Sequence, residues 1–284
     1  MIRHLGILLC SFLVLGGCEI DEAPDPEPLS ELKLYVFDCG KMQFDSIEMF
    51  SIGDDEIAVR ELIDPCYMVE HSNGRLLWDA GVASTAADTE GWHPLADGIR
   101  MRLDRTLADQ LAEIGLNMTS FRYMSFSHMH LDHVGAANEL EGATLLLQKA
   151  EYDAAFADPV TVPFFNPLLY DKLKDVDRVL IGDNHDVFGD GRVRILSMPG
   201  HTPGHQVLFI DLANTGPVVL SGDLYIFPIS RTGRRVPMFN FDADATLESM
   251  DRVEAFLAET GAKLWIQHDL AWFEQLNRSP ASYD

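Results

Sequence analysis

Four strand-like apolar runs each end on side chains able to hold a metal ion. His128-Met129-His130-Leu131-Asp132-His133 follows SFRYMSFS, His201 follows RVRILSMPG, Asp223 follows PVVLSG, and His268 follows AKLWIQ. A fifth run, RLLW, leads into Asp79-Ala80-Gly81. Neutral imidazole and carboxylate suit zinc and its divalent neighbours. Alternate side chains of an extended segment face the same way, so His128, His130 and Asp132 share a side while His133 turns elsewhere. That geometry suits two ions. His128 and His130 would hold one, completed by His201, and Asp132 with His133 the other, completed by His268. Asp223 would give one oxygen to each. Two ions so placed acidify a shared water and polarise a carbonyl or phosphoryl oxygen. A single HxHxD says little, since scattered histidines are mostly surface or core residues; the further strand-end positions give it weight. His4, His71, His93, His185 and His205 lack that placement and read as structural or solvated. Asp79 is expected to accept an imidazole N–H and so fix a ligand's tautomer, against the plainer reading of a turn aspartate.

For these side chains to meet, the runs before them must be strands that end on one crevice. Apolar runs bounded by turn residues predict strands near 32–37, 65–69, 76–78, 123–126, 143–147, 193–198, 206–210, 218–220 and 264–267. Amphipathic helices are expected over 105–114, 149–156 and 245–260, the last with Asp244 as its N-cap. In that helix Leu247, Met250, Val253, Phe256 and Leu257 recur at helical spacing and predict a core-facing stripe. Strands followed by a helix, twice over, suggest two sheets between helix layers. Segments 41–62, 83–103 and 159–174 lack regular patterning. Long irregular segments often serve as binding loops. Met42, Phe44, Phe50, Trp92, Phe164 and Phe165 lie in them and are expected to line a substrate pocket.

The 284 residues, 47% of them hydrophobic, suffice for one substantial core. Residues 1–17 read as a signal peptide, with Arg3 before an apolar run too short to span a bilayer as a mature helix. Leu15-Gly16-Gly17-Cys18 resembles the lipobox of bacterial lipoproteins, which implies an acylated Cys18, a polar tether over 18–30 and a domain over 31–284. The chain is thus expected to be exported and held on the membrane of the cell envelope by its N-terminal lipid anchor. Cys39 and Cys66 remain, either as buried free thiols or as one disulfide. Without Arg3 the chain carries 45 acidic against 20 basic side chains, a net charge of −25. Such a surface repels nucleic acid and anionic headgroups and favours a neutral substrate.

Through HMHLDH, His201, Asp223 and His268 the chain resembles the metallo-β-lactamase superfamily, from about Leu32 to the C-terminus. Within it, LYVFDCG, DPCYMVE, LLWDAG, SHMHLDHVGAAN, LQKAEYDAA, MPGHTPGHQ, SGDLYIFP and RVPMFNFD are similar to the N-acyl homoserine lactone lactonases. One departure is Gln267 before His268, where glycine commonly stands. The resemblance implies an αββα sandwich, two divalent ions (zinc first, with manganese, iron or cobalt as alternatives) and hydrolysis of a neutral lactone. Asp132 would carry a proton to the leaving oxygen. Tyr225 resembles the lactonase tyrosine that hydrogen-bonds substrate, the alternative being a core tyrosine. A homodimer is left open. The competing readings are a glyoxalase II-type thioesterase, a β-lactamase, an organophosphate hydrolase and a metal-holding protein without turnover. The acidic, exported chain speaks against the thioesterase, and Asp223 against the β-lactamase.

Overall fold

The computed structural model describes residues 31–284; the expected signal peptide, Cys18 and the tether up to residue 30 lie outside the described residues. Along the chain run β1 (Lys33–Phe44), β2 (Glu61–His71), β3 (Gly74–Trp78), β4 (His93–Ala96), β5 (Ile99–Arg102), β6 (Tyr123–Ser125), β7 (Thr144–Gln148) and β8 (Arg178–Ile181). These form one sheet in the order β4-β5-β1-β2-β3-β6-β7-β8. A second sheet contains β9 (His185–Asp186), β10 (Val193–Ser197), β11 (Gln206–Leu212), β12 (Gly216–Leu220) and β13 (Lys263–Trp265), ordered β13-β12-β11-β10-β9. The last strand, β14 (Ser282–Tyr283), returns to pair with β1. The helices are α1 (Leu107–Glu113), α2 (Lys149–Ala155), α3 (Pro228–Gly233), α4 (Ala243–Thr260) and α5 (Leu270–Phe273).

Alternation along the strands fixes the layers, because successive side chains point to opposite faces. In β7, Leu145 and Leu147 pack with Leu107 and Leu111 of α1 and Ala155 of α2. Leu146 between them faces the other way, toward Ile195, Leu208, Ile210 and Leu220 of the second sheet. In β11 the same switch puts Leu208 and Ile210 between the sheets, and Val207 and Phe209 against Met250, Val253 and Leu257 of α4. The result is four layers, helix, sheet, sheet, helix: the αββα sandwich the sequence leads one to expect. Its middle is nearly all aliphatic, and each such buried side chain contributes about 1.5–3 kcal/mol.

Several boundaries differ from the sequence reading. The N-cap of α4 is Asp242, whose side chain accepts from the Ala245 N–H at 2.9 Å; Asp244 lies inside the first turn. Segments 41–62 and 83–103 are less irregular than expected. β1 continues through Phe44, and its extension pairs with β5 of a short β4–β5 hairpin. Cys39 and Cys66 are bonded, with Cα atoms 5.7 Å apart, joining the neighbouring strands β1 and β2. Pro65 sits in β2 beside a register shift between Asp38 and Lys41, the kind of place where a strand tolerates a residue that cannot donate.

Candidate metal centre

The seven side chains expected to bind metal follow the C-terminal ends of β6, β10, β12 and β13. Beyond β6 the chain turns sharply through His130–His133, where the His133 N–H reaches the His130 carbonyl at 3.0 Å. Two glycines let the other loops come in. Gly200, with φ 134°, lies against α4, where a Cβ would stand 2.3 Å from the Thr246 nitrogen. Gly222, with φ 48°, leaves no room for a Cβ between His205 and Ser127. Those conformations are open to glycine, and they deliver His201 and Asp223.

The seven side chains fall into two groups that could each hold an ion: His128, His130, His201 and Asp223 in one, Asp132, His133 and His268 in the other. All are buried. Asp223 lies between them and divides its oxygens. Its Oδ2 is 3.4 Å from His201 Nε2 and 3.8 Å from His128 Nε2, while its Oδ1 is 2.8 Å from His268 Nε2 and 3.2 Å from His133 Nε2.

Outer partners decide which nitrogen of each ring faces inward. His133 Nδ1 donates to Asp79 Oδ2 at 3.0 Å, His268 Nδ1 to the Ile63 carbonyl at 2.8 Å, and His201 Nδ1 to Asn240 Oδ1 at 2.9 Å. Each therefore turns Nε2 toward Asp223. The buried Nε2 atoms of His128 and His133 have no hydrogen-bond partner, while His130 turns its Nδ1 inward, 3.1 Å from His201 Nε2. Burial first, then the neighbouring imidazoles, holds His128 and His130 well below the usual histidine range. Burial is the largest influence on His133 and His268 and opposes their charge. The surrounding carboxylates together still raise both, Asp223 foremost, joined by Asp132 and Asp79 at His133 and by Asp64 at His268. The space between these nitrogens and Asp223 thus attracts positive charge. Orphaned inward lone pairs around a buried carboxylate are the donor set that divalent ions fit.

Asp79 stands where an imidazole partner was expected and does more besides. It accepts from the Ser127 N–H at 2.6 Å and from Gln267 Nε2 at 3.1 Å. Gln267 also donates to the Pro65 carbonyl at 3.0 Å, so the residue that departs from the family pattern ties the His268 loop to Asp79 and β2. His205 is structural: Nδ1 donates to the Met198 carbonyl at 3.0 Å, and Nε2 accepts the Asp223 N–H at 2.9 Å. With both nitrogens engaged it has none left for an ion. Two acids escape sequence reasoning. Asp64, pushed up to about 7 chiefly by burial, approaches His268 Nδ1 at 3.1 Å. Neither of its oxygens makes a directed hydrogen bond, because that N–H points to Ile63. Glu151, also pushed up to about 7 by burial, accepts the Met129 and Gly204 N–H groups, each at 2.8 Å, one per oxygen. It brackets the loops carrying His128–His133 and His201. Glu151→Gln would set an amide NH2 against one of those N–H groups. Metal affinity should then fall about 10- to 100-fold, as when outer partners of ligands are lost; competition with a chelator measures it.

Above the groups opens a cavity with about 470 Å³ of empty space, counting its mouth. Met42, Phe44, Phe50 and Phe164 line it as expected, and so do Met49, Ile226 and Phe239. Phe164 is held at φ 63°, a costly region for a bulky residue. Its ring stands edge-on to Phe239 at 5.0 Å. Trp92 and Phe165 do not line the cavity. Trp92 lies half-buried before the β4–β5 hairpin, and Phe165 packs on the outer helix-side core, bridged to His130. Tyr225 also departs from its expected place. It is buried among Leu196, Val219 and Met250, and its hydroxyl donates to Glu254 Oε1 at 3.0 Å. The turn Gly222–Leu224 shifts the phase of the chain, so Ile226, three residues after Asp223, faces the cavity instead. Tyr225→Phe should therefore cost about 1 kcal/mol in stability, one net hydrogen bond. Hydrolytic rates should be unchanged; denaturant melts with parallel kinetics check this.

The model of the metallo-beta-lactamase superfamily matches residues 60–260, and the chain belongs to that superfamily. The N-acyl homoserine lactonase AttM of Rhizobium johnstonii is 29% identical over 268 residues, covering 90% of this chain and 100% of that one. The AttM lactonase of Azorhizobium caulinodans is 26% identical over 267 residues, with the same two coverages. Among solved structures, an N-acyl homoserine lactone hydrolase with N-hexanoyl-L-homoserine bound at its catalytic metal centre shares the fold. Its TM-score is 0.74 at 24% identity, over 89% of this chain and 98% of that one.

Proposed function

We propose that residues 31–284 form a metal-dependent lactonase that opens the ring of N-acyl homoserine lactones, a quorum-quenching activity, with two divalent ions, zinc foremost. The observation that carries it is the divided Asp223 carboxylate, one oxygen toward each group, at the floor of an apolar cavity. The lactonase relatives support the choice of substrate. His128, His130 and His201 would hold one ion, Asp132, His133 and His268 the other, and Asp223 both. When bound, the ions supply an acidified water and polarise the ester carbonyl. The chain's own residues do the rest. Asp132, which lines the cavity floor as a carboxylate, would accept a proton from the attacking water and pass it to the leaving alkoxide. The Met and Phe walls exclude water and bury the acyl chain at about 25 cal/mol per Å². The test is hydrolysis by the metal-loaded protein of a panel of acyl homoserine lactones, thioesters and β-lactams. Ring opening of the first class should dominate, and turnover confined to the other two would refute the reading.

The mature protein is further proposed to be exported and anchored through acylated Cys18. The residue types of the first 18 positions support this, as does the Cys39–Cys66 bond, which an oxidising compartment preserves. No helix among the described residues is long and apolar enough to cross a membrane. Cys18→Ser should release the protein from the membrane fraction or stall its processing. Unchanged retention with normal processing would contradict the anchor.

A further inference from the structure

The side chains lining the cavity are of two kinds. His130, Asp132, Asp223 and His268 belong to the metal groups. Every other described lining residue is Met, Leu, Ile or Phe. Outside the metal groups, then, no hydroxyl, amide or cationic side chain among the described residues lines the cavity. The obvious candidate is committed elsewhere: Glu254 takes the Tyr225 hydroxyl at 3.0 Å and is gripped by Arg231 through Nε and Nη2, each at 2.8 Å. Buried Ile226 occupies the wall in its place.

Nor do the walls look ready to bring a donor in. The Met238 N–H donates to the Met49 carbonyl at 2.8 Å, and Ser51 Oγ to the Val236 carbonyl at 2.6 Å. Phe50 sits edge-on to both Phe227 and Phe239, at 5.4 and 5.8 Å. Two loops distant in sequence are thereby tied into one apolar surface.

We propose that this cavity selects substrates by a hydrocarbon arm and a hydrolysable lactone carbonyl, without recognising the acyl amide. Lactones that carry a plain alkyl arm are then substrates of the same rank as N-acyl homoserine lactones. The inference rests on the lactonase reading above and narrows it. A site built to hydrogen-bond a substrate group rejects the analogue lacking it by about 10⁴- to 10⁵-fold, because buried partners are left unpaired. Here removal of the amide leaves no side chain unpaired. The amide itself, on entering, exchanges water for hydrocarbon, which disfavours it.

The experiment compares N-octanoyl-L-homoserine lactone with α-nonyl-γ-butyrolactone on the zinc-loaded wild-type protein. The two arms leave the same ring carbon and have matched length. Each kcat/KM is divided by that compound's own hydroxide hydrolysis rate, since the α-amide activates the ester electronically. The expected normalised preference for the acyl homoserine lactone is within about tenfold, the span of one net hydrogen bond. A larger preference overturns the proposal and leaves the lactonase reading standing. If neither ring opens, the lactonase reading fails and this inference falls with it.

Discussion

Asp223→Ala should bind no more than one metal equivalent where the parent protein binds two. Its lactone hydrolysis should fall by at least about three orders of magnitude, the several kcal/mol that metal ions contribute to charge stabilisation. The reason is positional. Among the described residues, Asp223 is the one side chain whose two oxygens face different imidazole pairs, His128 with His201 and His133 with His268. Alanine there removes a ligand from both sites and leaves four buried imidazoles facing one another. Elemental analysis after dialysis, beside steady-state rates, reads both effects. Two tightly held equivalents in the variant would show that Asp223 is not shared.

Asp132→Asn tests a different atom. Asp132 Oδ2 lies 3.7 Å from His133 Nε2 on the cavity floor, placed both to bind an ion and to carry a proton to the departing alkoxide. A neutral amide binds metal less well and cannot carry that proton. kcat should drop about 10²- to 10⁴-fold, the usual contribution of a positioned acid or base. Chelator competition separates the two roles. If metal affinity falls while kcat at saturating metal is restored, Asp132 is a ligand only. A loss of kcat that persists at full occupancy is the expected result.

How much of this was legible in the sequence depended on whether a side chain's setting was local. The positions of His128, His201, Asp223 and His268 could be read because each follows an apolar strand; period-2 alternation does not carry through His130–His133, where the chain turns and sets Asp132 with His133. Tyr225 was misplaced for a related reason. Asp223 lies in the turn Gly222–Leu224 with φ −92° and ψ 19°, so strand alternation cannot be counted through it. Asp64 and Glu151 look like ordinary strand-end and helix-surface acids until partners far along the chain bury them. The partner of Glu151 at Gly204 is 53 residues away. Gln267 stood out as unusual before its role was visible, because its link to Asp79 spans 188 residues. The β4–β5 hairpin was hidden too. Its strands are four residues each, one contains Pro94, and they gain order by pairing with the far end of β1.

The bond that breaks can be read from the product. Metal-loaded protein incubated with N-hexanoyl-L-homoserine lactone in H₂¹⁸O should yield N-hexanoyl-homoserine alone, one labelled water heavier than the substrate, with the label in the new carboxyl group. Metal-stripped protein should give no product above the spontaneous rate. Free hexanoate with intact homoserine lactone would mean that the amide is cleaved instead. That product, or no turnover at full metal loading, would contradict the assignment of a lactonase.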